Sequence, residues 1–109
     1  MEVNSSIYKT NIDKDLEMLN LIDKAKKSMY HYFEETLKDP VYSLSEDFSL
    51  DLLDTNAELV SYGVRFDLWA GGLFEFCVIF KIHSTENRFL YNYYAYFDSK
   101  GNLVDDFVN

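Results

Sequence analysis

The chain has 109 residues, of which 48% are hydrophobic and 17% aromatic, so it is long enough for one folded domain (residues 1–109) and too apolar for a disordered protein. Its 19 acidic and 10 basic residues give a net charge of −9, which argues against binding to nucleic acids or anionic membranes, because both need Lys and Arg. No apolar run reaches the roughly 20 residues that span a bilayer. The polar first ten residues contain no signal-peptide pattern, and the single cysteine cannot form an internal disulfide. These features together predict a cytoplasmic protein.

The N-terminal third predicts one long amphipathic helix over residues 11–39, preceded by a flexible segment, residues 1–10. Thr10 or Asn11 can act as its N-cap, and Pro40 prevents it from continuing. Apolar residues recur at steps of three and four, which is the spacing of a helix that buries one face. The expected buried stripe consists of Ile12, Leu16, Leu19, Ile22, Ala25, Met29, Phe33 and Leu37.

After Pro40 the period of the apolar residues changes to two, which is typical of strands. Val41–Leu53 is ambiguous, since Phe48, Leu50 and Leu52 alternate as in a strand, whereas Ser45-Glu46-Asp47 can start a short helix. Beyond it, strands are predicted at Leu59–Ala70, Leu73–His83, Arg88–Asp98 and Leu103–Val108, with turns at Gly71-Gly72, Ser84–Asn87 and Ser99–Asn102.

These elements predict an α+β fold in which the helix packs on a four- to five-stranded antiparallel meander over residues 41–109. In outline this architecture resembles the cystatin-like fold. Because side chains alternate along a strand, the two faces of the sheet can be separated. One face is the expected core: Val64, Phe66, Leu68, Phe74, Phe76, Val78, Phe80, Ile82, Phe89, Tyr91, Tyr93, Ala95 and Phe97.

The opposite face mixes charges with aromatic residues, a composition typical of binding surfaces. It collects Arg65, Asp67, Trp69, Glu75, Cys77, Ile79, Lys81, His83, Arg88, Leu90, Asn92, Tyr94 and Tyr96. Two other interpretations stay open. The aromatic residues can simply pair across strands on a solvated face, or Val41–Leu53 can cover them.

The sequence contains no recognisable catalytic or metal-binding motif, so no catalytic residue, metal or cofactor is expected. His31 and His83 fall on different elements, and one cysteine cannot build a zinc site. Cys77 is expected to be a small apolar filler within a strand. Asp98–Asn102 has some features of a calcium loop, but Lys100 occupies a ligand position, so a turn is predicted.

A helix covered by a bent sheet also resembles the nuclear-transport-factor-like fold, whose members often enclose a cavity and include isomerases and dehydratases. That resemblance implies a small-ligand or catalytic pocket lined by Tyr91, Tyr93 and Phe76, with Asp67 as a further catalytic candidate. The chain is short for that family, and its expected core is filled with Phe.

The acidic charge is concentrated in residues 41–62, which contain five acidic residues and no basic residue. Such a segment can merely aid solubility, or it can attract a basic protein. A small, acidic, Tyr-rich α+β domain without catalytic groups resembles the immunity proteins of bacterial toxin systems. The resemblance lies in size, charge and general pattern across the whole chain.

This resemblance implies a non-enzymatic inhibitor that neutralises a basic partner, such as a toxin or nuclease. The mixed sheet face would also allow a homodimer. The predicted partner-binding residues are Glu46, Asp47, Asp51, Asp54, Glu58, Asp67, Trp69, Tyr94 and Tyr96.

Overall fold

A computed structural model describes the backbone of residues 2–39, 41, 43–67 and 73–109, and the side chains of residues 20–39, 41, 43–63 and 76–109. The elements in chain order are α1 (Glu2–Lys38), α2 (Leu52–Thr55), β1 (Ala57–Asp67), β2 (Leu73–His83), β3 (Phe89–Phe97) and β4 (Leu103–Val108). The strands form one antiparallel sheet in the order β1-β2-β3-β4. The predicted α+β class, with a helix and an antiparallel meander, is confirmed, and the sheet has four strands. Across the described residues, no helix is both long enough and apolar enough to cross a membrane.

Helix α1 begins at Glu2, well before the predicted start, so Thr10 and Asn11 lie inside the helix and neither is its N-cap. Residues 2–11 contain no glycine or proline, and nothing in their composition stops a helix. Of the predicted buried stripe, the side chains of Ile12, Leu16 and Leu19 lie outside the described part of the chain.

Among the stripe residues whose side chains are described, all are buried as predicted except the last. The core contains Ile22, Ala25, Met29 and Phe33, together with Leu21, which the prediction missed. Leu37 is 51% exposed, so its predicted burial is wrong. Phe33 is the last residue of α1 that belongs to the core, and the final turn of α1 extends beyond the core.

The sheet presents alternate residues of its two central strands to α1, as predicted. The predicted core residues that are buried are Phe76, Val78, Phe80, Ile82, Tyr93, Ala95 and Phe97. The side chains of Val64, Phe66, Leu68 and Phe74 lie outside the described part. Phe89 is 49% exposed and is therefore not a core residue. A register shift between Ile82 and His83 pairs Phe89 with His83, which moves Phe89 to the opposite face.

The segment that precedes α2 closes one end of the core on the same side of the sheet as α1. Phe48 stacks on Phe33 at 4.6 Å between ring centroids, and Leu52 and Leu53 are buried. No strand forms among the described residues of Val41–Leu53, and the short helix starts at Leu52 rather than at Ser45. The segment therefore does not cover the mixed sheet face.

Two of the predicted turns are confirmed by their backbone. Asn87 (φ 62°) and Gly101 (φ 82°) both adopt the left-handed conformation that tight turns require. In the second turn, the amides of Lys100 and Asn102 both donate to Asp98 Oδ1 at 2.9 Å, so Asp98–Asn102 is a turn as predicted. The Gly71-Gly72 turn lies outside the described residues.

We expect Phe33→Ala to lower the free energy of unfolding by about 3–5 kcal/mol, because it removes a fully buried ring from the centre of the core. Leu37→Ala on the same helix is the matched control and should change it by less than about 0.5 kcal/mol. Urea denaturation followed by circular dichroism measures both. Equal losses for the two variants would contradict the packing described above.

Candidate functional site

Acidic side chains from two helices meet on one flank of the molecule. Because Leu52 and Leu53 anchor α2 in the core, the neighbouring Asp51 and Asp54 are exposed. Tyr30 of α1 lies close enough to Asp54 for this carboxylate to act on its hydroxyl group. Glu34 lies one turn further along α1 and is also exposed. We call Glu34, Asp51 and Asp54 the acidic surface.

The negative potential of this surface acts directly on Tyr30. The hydrogen bond to Asp54, desolvation, and the charges of Asp54, Asp51 and Glu34 raise the pKa of Tyr30 to about 12. Among the described basic side chains, none forms an ion pair with any of the three carboxylates. The acidic surface therefore keeps a local excess of negative charge that a cationic partner can neutralise.

The other predicted acidic residues do not belong to this surface. Asp47 Oδ2 lies 3.1 Å from Arg88 Nη2, and Arg88 also contacts Glu86 at 3.3 Å, so the charge of Asp47 is partly neutralised. Glu46 is exposed in the turn beside Asp47. Glu58 lies on β1 opposite Lys81 of β2. Asp47 and Glu58 therefore each face a basic residue, whereas Asp51 and Asp54 form no ion pair with a described basic residue.

The predicted aromatic anchors lie on the other side of the sheet. Tyr94 and Tyr96 stack on Phe107 of β4, at 4.6 and 5.9 Å between ring centroids. Tyr94 pairs with Ile79, whereas Phe80 and Tyr93 beside them point into the core, so Tyr94 lies on the face opposite α1. We call this the outer face. It is a separate surface from the acidic surface.

Two predicted anchors have no described side chain. Asp67 ends β1, where its backbone pairs with Leu73, and Trp69 lies outside the described residues. Conversely, sequence reasoning missed Glu34 and Tyr30. Their spacing of four residues places them on one helix flank, but nothing in the sequence says that α2 packs against that flank.

A cleft of about 620 Å³ opens at the C-terminal end of α1. Its lining includes Tyr32 of α1, Leu44 of the following segment and Tyr91 of β3. Tyr91 helps to fix its shape, because its hydroxyl accepts a hydrogen bond from the Ser45 amide at 2.8 Å. Four titratable side chains also line it: His31, Glu35, Asp39 and Asp106.

The pocket expected from the nuclear-transport-factor-like resemblance is not assembled. Phe76 and Tyr93 belong to the packed core and do not line the cleft. The Tyr93 hydroxyl donates to Asp106 Oδ2 at 2.8 Å. Burial, together with this bond, raises the pKa of Tyr93 far above its ordinary value. Tyr93 is thus a buried hydrogen-bond donor, and only Tyr91 of the three predicted lining residues reaches the cleft.

The histidines and the cysteine are also dispersed. His31 lines the cleft, His83 lies beside Phe89 at the end of β2, and Cys77 is half-buried within β2. Over the side chains that the structure describes, no three His, Cys, Asp or Glu residues are placed to hold a metal ion together.

Comparisons of the chain with protein-family models, with curated proteins and with solved structures find no match.

The Tyr30–Asp54 contact can be tested by titration. A tyrosine with an ordinary pKa near 10 is about nine-tenths ionised at pH 11, whereas Tyr30, with a pKa of about 12, should be only about one-tenth ionised. Because the folded-state pKa is raised, this contact stabilises the fold below about pH 10, and the stabilisation is lost as the pH rises toward 12. NMR of ¹³C-labelled tyrosine, with Tyr30→Phe for assignment, measures the ionisation.

Asp54→Asn should bring the pKa of Tyr30 back toward its ordinary value. Asp51→Asn, which removes a charge without removing the hydrogen bond, should lower it less. Unchanged titration in Asp54→Asn would show that Asp54 does not act on the Tyr30 hydroxyl.

Proposed function

We propose that this protein is a non-enzymatic inhibitor of the immunity type, which neutralises a basic protein such as a toxin or nuclease by covering its cationic site. The observation that carries the proposal is the acidic surface. Three carboxylates, from α1, from α2 and from the residue directly before α2, act on Tyr30 together, and none forms an ion pair with a described basic residue.

The geometry of the acidic surface suits docking to a preformed cationic cleft. Leu52 and Leu53 bury the inner side of α2, and Tyr30 of α1 lies close to Asp54, so the carboxylates stand on packed helices. A rigid charged surface binds with less loss of conformational freedom than a loop would. Its charge would also raise the association rate with a partner of opposite sign.

The overall charge favours the same kind of partner. The net charge of −9 repels nucleic acids but attracts the proteins that bind them, since a nuclease must hold phosphate in a basic cleft. An acidic protein inserted there would exclude the substrate without doing chemistry itself.

The tagged full-length chain should capture one dominant basic protein from its source organism and release it as the salt concentration rises. Binding is then measured with the purified partner. Glu34→Lys combined with Asp51→Lys should weaken the affinity at least about tenfold, mostly through slower association, and should leave the melting temperature unchanged. Neither side chain forms a described hydrogen bond or ion pair, so the fold should tolerate both changes.

Asp105→Lys is the matched control. It reverses an exposed acidic residue on the outer face, away from the acidic surface, and should leave the affinity for the partner nearly unchanged. Equal weakening by Asp105→Lys would indicate a general charge effect. Full binding by the Glu34→Lys/Asp51→Lys variant would refute the assignment of the site.

The cleft supports a second candidate function, binding of a small cationic molecule. Its volume of about 620 Å³ falls within the range of ligand sites, and Glu35, Asp39 and Asp106 surround it together with two tyrosines. In this candidate, the small ligand binds at the C-terminal end of α1 and not between the helix and the sheet, where the sequence predicted the pocket.

NMR screening of the full chain with simple amines, such as spermidine, tests the cleft. Binding should shift the signals of Tyr91 and His31, and Asp106→Asn should weaken it. Shifts confined to the acidic surface, or none at all, would eliminate this candidate.

A further inference from the structure

The outer face of the sheet has an apolar centre. Tyr94 lies in the middle, paired with Ile79 on one side and with Phe107 on the other. The rings of Tyr94 and Phe107 are nearly parallel at 4.6 Å, and Phe107 is 38% exposed. Cys77 and Tyr96 form the adjacent row. Tyr94 is half-buried and Phe107 is exposed, so both rings reach the surface of this face.

Opposite charges flank this centre symmetrically. Lys81, on the neighbouring strand β2, pairs with Asn92, which is two residues before Tyr94. Asp105, on the neighbouring strand β4, pairs with Tyr96, which is two residues after Tyr94. Tyr94 is therefore the midpoint of the line that joins Lys81 and Asp105.

Lys81 and Asp105 are too far apart to neutralise each other. Strand and residue spacings place the backbones of Lys81 and Asp105 about 17 Å apart, beyond the screening length of about 8 Å at physiological salt. Neither side chain forms an ion pair with another described residue, and Lys81 Nζ instead lies 5.3 Å from the ring centroid of Phe89.

We propose that the outer face binds a second copy of this chain in a two-fold symmetric dimer. The axis lies in the plane of the interface, over Tyr94, and is perpendicular to the line that joins Lys81 and Asp105. In such a dimer, each patch faces its own copy. Tyr94 packs against the Tyr94 of the other copy, and the symmetry places Lys81 of each copy opposite Asp105 of the other. The apolar centre then becomes the core of the interface, and the charges form its rim.

The charges on the outer face favour a second copy of this chain over a strongly basic protein as its partner. Among its described residues, the outer face carries Lys81 beside Glu58 and Asp105, so it has only one more carboxylate than basic groups and attracts a basic protein less than the acidic surface does. Each copy carries −9, and face-to-face packing directs the two acidic surfaces away from each other, where their repulsion is smallest. The dimer would thus leave both acidic surfaces open.

The available area indicates a weak dimer. Four strands spaced by about 4.8 Å and about seven residues long give a planar face of roughly 450 Å² per copy, or about 900 Å² for two. Stable interfaces bury more than about 1,200 Å², so we expect dissociation in the micromolar range.

Sedimentation equilibrium of the full chain, from about 5 to about 500 µM, tests the proposal. The weight-average mass should rise from the monomer mass of 12.8 kDa toward twice that value. K81E and D105K should each weaken association about tenfold, because each reversal occurs twice in a symmetric dimer. The double variant K81E/D105K exchanges the two charges and should restore association to within about threefold of the original.

The restoration by the double variant separates a specific contact from loss of folding, and a thermal melt of each variant checks the fold directly. A monomer at every concentration would overturn the proposal. So would association that neither single reversal weakens, since that would assign the contact to a sheet edge. A double variant weaker than both single variants would overturn the proposed two-fold axis. The acidic surface is untouched in all variants, so partner binding is tested independently.

Discussion

The aromatic cluster of Phe33, Phe48 and Tyr91 joins helix α1, the segment before α2 and the sheet, and the position of the acidic surface depends on this contact. Phe33 belongs to α1, Phe48 to the segment before α2, and Tyr91 to β3, and their ring centroids lie 4.6 to 6.0 Å apart. Aromatic rings bury large areas and prefer stacked or edge-on geometries, so this cluster fixes the position of the segment as well as its burial. Together with the buried Leu52 and Leu53, this cluster sets where α2 and the acidic surface lie.

The sheet separates two surfaces of different chemistry. On one side, packing of Leu52 and Leu53 into the core exposes Asp51 and Asp54 beside Tyr30. On the other side, Tyr94 and Phe107 form an apolar centre with charges of both signs at its margin. An acidic surface favours fast, salt-sensitive association, whereas an apolar face favours association driven by burial. The two proposals therefore concern independent surfaces of one domain.

The strand bounds and buried faces were predicted correctly where the alternation of apolar residues is regular. The prediction was wrong where a bulge inserts one extra residue and reverses the alternation. The bounds of β2 and β4 agree with the prediction, since β2 alternates regularly and is followed by turn residues, and β4 begins directly after a turn. Phe89 was assigned to the core because it is two residues from Tyr91, but the register shift beside His83 reverses its face. A bulge of this kind depends on how two strands pair, which a single strand's sequence does not contain.

The sequence by itself determined the α+β class, a meander of at least four strands, the buried stripe from Ile22 to Phe33 and the local excess of acidic charge. Each of these follows from composition or from periods of 3.6 and 2, which are local properties of the chain. Only the tertiary structure decided which charges meet. It paired Asp47 with Arg88, brought Glu34, Asp51 and Asp54 within electrostatic reach of Tyr30, and placed Tyr94 and Tyr96 on the opposite side of the sheet. These relations join residues far apart in sequence, and the packing of α2 and of the strands sets them.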